Sequence, residues 1–205
     1  MLKLASLLKL THPILRFVVG RFMFPPRMNY LEKCLLKYMI SGQEVLDLGA
    51  GDGKLAARLS RKSDSRFVGC DVVLQPEPEI EIVAYDGITL PFADNSFDCV
   101  LMVDMLHHLV GQDLLLQEAK RVSRGKILIK DHYWESRFDW ATLVFMDYIG
   151  NVPFGIDLPC RYLRKEEWLE KFDCLGSKII KTEQFRFNFA DPIKHVVYML
   201  EHENV

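Results

Sequence analysis

The residues best suited to do chemistry are concentrated in one stretch, Glu44-Val45-Leu46-Asp47-Leu48-Gly49-Ala50-Gly51-Asp52-Gly53-Lys54-Leu55. An apolar run crosses three glycines at alternate positions and passes into a helical pattern through Leu55, Ala56, Ala57 and Leu59. The order is strand, tight loop, helix. Such glycines let the main chain take φ > 0 and let a ligand approach it closely, and the helix start offers unpaired N–H groups. The chemistry implied is that of a nucleotide-type site. A dinucleotide fingerprint would need glycine at position 54, where Lys54 stands. Asp47 and Asp52 flank the loop; paired carboxylates repel a pyrophosphate and attract a nucleoside that carries an ammonium and a sulfonium. Asp71 closes the next apolar run, Arg66 to Asp71, 24 residues beyond Asp47. That separation suits one βαβ unit, in which an acid at the strand end accepts hydrogen bonds from two ribose hydroxyls.

Downstream, Tyr85-Asp86-Gly87 follows a further apolar run. An aspartate there can accept from an adenine amino group while a neighbouring N–H serves the ring. The segment from Leu90 to Leu109 reads Leu90-Pro91-Phe92-Ala93-Asp94-Asn95-Ser96-Phe97-Asp98-Cys99-Val100 and then Leu106-His107-His108-Leu109. Together with Asp47-x-Gly49-x-Gly51-x-Gly53, it resembles the class I S-adenosylmethionine-dependent methyltransferases, of the ubiquinone and menaquinone biosynthesis type. The resemblance covers residues 44 to 130. It implies S-adenosyl-L-methionine as cofactor, bound by Asp47, Gly49, Ala50, Gly51, Asp71, Val72, Asp86, Gly87, Met102 and Val103. Val72 would lie against the adenine, and Met102 and Val103 would offer main-chain carbonyls to the methionine ammonium. His132, in Asp131-His132-Tyr133-Trp134, is the candidate catalytic base, since an imidazole titrates near neutral pH. His107 and His108 are adjacent, should point apart and have no Cys or His spacing to complete a set, so they are expected to be structural and no metal is expected.

These side chains must be positioned by a larger frame. The expected fold is α/β, a three-layer Rossmann-like methyltransferase fold with a mostly parallel seven-stranded sheet and an antiparallel edge hairpin. Strands are expected at 44–48, 66–71, 80–84, 97–102 and 126–130, with two β-rich stretches at 177–187 and 192–200. Helices are expected at 28–40, 53–61, 112–123 and 164–172, and the aromatic and Met-rich run 134–149 has helical spacing. Residues 1–40 are expected to form an N-terminal helical cap and 41–205 the methyltransferase domain, with a substrate-lid insertion at 132–163 lined for an apolar or aromatic acceptor.

The chain has 205 residues, a net charge of −2 and five widely spaced cysteines with no C-x-x-C pair. Nothing in that balance calls for nucleic acid, and the cysteine pattern points away from a disulfide framework and toward a reducing, cytoplasmic setting. Residues 1–27 are apolar and basic, with two short helices broken near Pro13, Pro25-Pro26 as a further break and no uncharged stretch of membrane-spanning length; peripheral membrane contact and plain packing both stay open. The function expected is methyl transfer to a small-molecule or lipid-like acceptor. The alternatives are a protein or nucleic-acid methyltransferase, and a non-catalytic S-adenosylmethionine-binding partner subunit with a sealed acceptor side.

Overall fold

The computed structural model describes residues 24–151 and 159–203. The two expected helices before Pro25 and the loop at 152–158 lie outside those residues. In chain order the elements are α1 (Phe24–Leu36), β1 (Glu44–Leu48), α2 (Lys54–Ser63), β2 (Arg66–Asp71), β3 (Ile82–Ala84), β4 (Cys99–Val103), a single 3₁₀ turn (Leu106–His108), α3 (Gln112–Val122), β5 (Lys126–Trp134), α4 (Arg137–Asn151), β6 (Leu163–Arg164), α5 (Lys165–Cys174), β7 (Lys178–Phe185) and β8 (His195–Glu201). The main sheet runs β3-β2-β1-β4-β5-β8-β7, and the two-residue β6 adds to the end of β5. All pairings are parallel except those of β8, which is antiparallel to both β5 and β7. This is the expected mostly parallel sheet with an antiparallel edge hairpin.

Side-chain alternation along the central strands divides the core into two layers. Leu46, Leu48, Val100, Met102, Ile127, Ile129 and Tyr198 pack on one face with Leu115 and Ala119 of α3 and Trp168 and Phe172 of α5. Val45, Leu101, Leu128, Val197 and Met199 point the other way, against Cys34 and Leu35 of α1 and Ala56 and Leu59 of α2. Helix α1 is therefore part of the outer layer of the sandwich.

Two boundaries differ from expectation in ways that matter for the site. Pro25-Pro26 does not break the chain ahead of α1 but sits in its first turn, where a missing N–H costs nothing, and the helix ends at Leu36 rather than Ile40. Strand β5 runs four residues past Lys130, so Asp131, His132, Tyr133 and Trp134 belong to the strand and not to a loop beyond it. The extension is held from both sides: Lys126 to His132 pair with β8, and Tyr133-Trp134 pair with β6.

Candidate functional site

The glycine loop leaves β1 and turns over the carboxyl end of β2. Gly49 donates its N–H to the Cys70 carbonyl at 2.8 Å, and Gly51 donates to Asp71 Oδ2 at 2.8 Å. The other Asp71 oxygen accepts from Val73 N–H at 3.2 Å. Asp71 thus fixes the loop as well as facing the ligand side. Gly51 takes φ +58°, and a Cβ built there meets nothing within 4 Å; at Gly53, with φ +72°, it would stand 2.7 Å from Ile80 Cγ1. The loop is tight against protein at Gly53 and open at Gly51, which makes a cradle for a bound group.

Asp47 lies under this loop, 4% exposed. Burial, then the charge of Asp71, pushes its carboxyl up to about 7. Asp86 is exposed; its Oδ1 accepts N–H groups from Ile88 and Thr89, each at 2.8 Å, and those bonds hold the carboxyl below its ordinary range. Val72 is 54% exposed, unusual for a valine at the end of a buried strand, and a Cβ on Gly87 would come 3.4 Å from Val72 Cγ1. The two residues border one slot with a flat apolar wall. The Met102 side chain is buried in the core, and Val103 packs toward the opposite layer.

Beyond Val103 the chain turns at Asp104, with φ +50°, and opens onto a cavity of about 480 Å³. Its wall combines Arg27 of α1, Asp104, His107 and His108 of the turn, His132 of β5, Leu143, Met146 and Asp147 of α4, Tyr162, and Phe187, Pro192, Ile193 and His195 of the β7–β8 connection and β8. A polar network lies behind it. Asp104 binds Lys130 through one oxygen and Arg27 through the other. Burial works against the Asp104 charge, but Lys130, His132 and Arg27 outweigh it and hold the carboxyl well below its ordinary value. Lys130 Nζ also donates to His195 Nδ1 at 3.0 Å, and His195 Nε2 meets Asp191 Oδ2 at 2.9 Å. Burial and the neighbouring Lys130 charge push His195 down to about 3, so it stays neutral.

His132 is in the cavity wall, with Nε2 at 3.5 Å from Asp104 Oδ1 and Nδ1 at 3.3 Å from Asp131 Oδ1. Burial, then the Lys130 charge, lowers its proton affinity below that of a free imidazole. His107 is the buried neighbour that sequence reading set aside as structural. Its Nδ1 meets Asp131 Oδ1 at 2.6 Å, and although burial opposes the charge, Asp131 raises its pKa. The rings of His107 and His108 do not diverge as expected of adjacent residues; their centroids are 4.1 Å apart. Arg27, Asp104, Asp147, Tyr162 and His195 were not foreseen, because α1, the turn after β4, α4 and β8, well separated in sequence, meet here only through tertiary packing.

Residues 46–129 match the family model described as a methyltransferase domain. The chain is 40% identical over 86 residues to a demethylmenaquinone methyltransferase of Corynebacterium kroppenstedtii, covering 40% of this chain and 37% of that one. It is 36% identical over 146 residues to a ubiquinone/menaquinone biosynthesis C-methyltransferase of Pseudomonas putida, covering 60% and 57%. Over residues 46–129 the chain is thus similar to methyltransferase domains of the class I, S-adenosylmethionine-dependent type. The cofactor of this domain type is S-adenosyl-L-methionine. The matched stretches span between 37% and 57% of those two relatives' lengths. Among solved structures, the 1,6-didemethyltoxoflavin-N1-methyltransferase of Burkholderia thailandensis, with bound 1,6-didemethyltoxoflavin and S-adenosylhomocysteine, superposes with a TM-score of 0.66 at 15% identity, over 98% of this chain and 90% of that one. At that identity the likeness is one of fold.

Proposed function

We propose that the protein transfers the methyl group of S-adenosylmethionine to a small-molecule or lipid-like acceptor held in the 480 Å³ cavity. One observation carries the reading: the cavity starts at Asp104, the residue after Val103, so a cofactor lying over the carboxyl ends of β1, β2 and β4 presents its sulfonium at the cavity mouth. The volume is that of a small-molecule site, and Leu143, Met146, Phe187 and Ile193 favour an apolar or aromatic acceptor. The quinone-methylating relatives agree with that class. An open acceptor side also distinguishes this reading from that of a non-catalytic partner subunit.

Each part of the site takes a role. Asp47, Gly49, Ala50 and Gly51 hold the methionine end, Asp71 the ribose, Val72, Asp86 and Gly87 the adenine, and the Met102 and Val103 carbonyls the ammonium. His132 accepts the acceptor's proton where the chemistry releases one. Residues 132–163, through α4 and Tyr162, form the lid that shapes the cavity. In-line displacement needs little beyond alignment, and positioning of this kind contributes on the order of 7–11 kcal/mol. Contact with a membrane surface through residues 1–27 fits a lipid-like acceptor; among the described residues no helix is long and apolar enough to cross a membrane.

The test is incubation with S-adenosylmethionine labelled in the methyl group and a panel of reduced quinols, hydroxylated aromatics and lipid extract. Label passing into an organic extract supports the reading. Label appearing only in protein or RNA, with cofactor binding intact, would overturn the acceptor class.

A further inference from the structure

Two elements remote in sequence bring three metal-type donors to one wall of the cavity, and methyl transfer as described uses none of them. His107 and His108 come from the turn after β4, and Asp147 comes from α4. One donor atom from each lies within 4.8 Å of the others. Two of the donors, His107 and Asp147, are supported from behind. His107 gives its Nδ1–H to Asp131 Oδ1 at 2.6 Å, which turns Nε2 toward the cavity, and Asp131 is itself held by the His132 main-chain N–H at 2.7 Å. A carboxylate in that place is the usual support of a metal-ligating imidazole, fixing both its tautomer and its orientation. Asp147 is oriented in turn by the Tyr162 hydroxyl and the Asn151 side-chain amide, both donating to it.

The spacing and the charge point the same way. His107 Nε2 is 3.9 Å from Asp147 Oδ1, beyond hydrogen-bond range. Two donors about 2.1 Å from a shared ion stand roughly 3.0 Å apart at a right angle and roughly 3.4 Å at the tetrahedral angle, so the gap is wider than a shared ion needs by about half an ångström and closes by that much on binding. Among the described residues, Asp131 and Asp147 form ion pairs with histidines alone and neither pairs with a Lys or Arg, a surrounding open to a cation.

We propose that His107, His108 and Asp147 form a divalent transition-metal site of the two-histidine, one-carboxylate kind, whose remaining coordination positions face the cavity and take an oxygen of the acceptor. Imidazole donors select an ion of the zinc, cobalt or iron class over magnesium or calcium. The ion site stands on the donor geometry; only the acceptor oxygen rests on the proposed methyl transfer.

The experiment needs no acceptor. Full-length protein stripped with a chelator is titrated with Co²⁺, followed by visible absorption, and with Zn²⁺ by calorimetry. One ion per chain at micromolar affinity is expected. Asp147→Asn and His108→Gln each weaken it by about tenfold or more, and Asp131→Asn, which removes the support behind His107, by about 10–100-fold. Asp113→Asn, on the exposed face of α3, leaves affinity unchanged. The melting shift given by S-adenosylhomocysteine reports in the same samples that each variant is folded with its cofactor site intact, so loss of the ion site and failure of the methyltransferase reading separate. Absence of one-to-one binding below millimolar concentration overturns the site. So does binding that survives Asp147→Asn and His108→Gln, or that is lost in His132→Gln while persisting in Asp147→Asn.

Discussion

Asp47 carries an acid–base consequence that its position makes measurable. With the site empty its carboxyl titrates near 7, against an ordinary 3.8, because burial and Asp71 both disfavour the charge. A bound ammonium needs the carboxylate. Affinity for S-adenosylhomocysteine should therefore fall below pH 7, approaching roughly tenfold per pH unit, and level off above it. The unliganded protein runs in the opposite sense. Its folded state keeps the Asp47 proton where the unfolded chain has released it, so this group's contribution to stability declines as pH rises from about 4 to 7. Asp47→Asn should flatten both profiles, and calorimetry across pH 5.5–8.5 with urea unfolding at the same points checks them; a flat wild-type binding curve would refute the assignment. The glycines offer a paired test. Gly51→Ala puts a methyl into open ligand space, costing about 1–2 kcal/mol of stability from the left-handed backbone but more than tenfold in cofactor affinity. Gly53→Ala drives a methyl against Ile80, including its main-chain N at 3.2 Å, so its first effect is on melting.

At the scale of elements, Asp104 ties α1, β4 and β5 together. It receives Arg27 from α1 and Lys130 from β5, whose side chain has 0% exposure. Removing one partner of a buried pair leaves the other charge uncompensated, which costs about 3–5 kcal/mol. Asp104→Asn, which leaves Lys130 buried without its carboxylate, should lose stability on that scale in urea unfolding, whereas Lys130→Met, which leaves Asp104 still paired with Arg27, should cost less. Equal losses would show that shape rather than charge holds the junction. This junction also marks how far the sequence could be read. The cofactor half is local chemistry: β1, its glycines and the strand-end acids lie between residues 44 and 103, and each element signals the next by spacing. The cavity half is assembled from α1, the turn after β4, the far end of β5, α4 and the β7–β8 connection. Its register, His132 opposite His195, depends on an antiparallel pairing between strands about sixty residues apart that no local pattern announces. The carboxylates beside His107, Asp131 and Asp147, are likewise 24 and 40 residues away along the chain.

For the whole molecule, the cofactor loop and the cavity meet at the carboxyl edge of a sheet whose two faces are both covered, so a ligand there bridges elements that otherwise touch only through the core. Binding the folded state alone must then appear in global unfolding. S-adenosylmethionine or S-adenosylhomocysteine at about 100 times its dissociation constant stabilises by roughly 2.7 kcal/mol, which for a chain of this size raises the melting midpoint by roughly 5–10 °C. NAD should give no rise, because Lys54 stands where a dinucleotide loop has its third glycine, and the Asp47 and Asp71 carboxylates flank that loop. Gly51→Ala should abolish most of the shift while melting within a few degrees of the parent when unliganded. A shift with NAD alone would mean that the glycine loop serves a pyrophosphate after all, and the roles assigned to Asp47 and Asp71 would fall together.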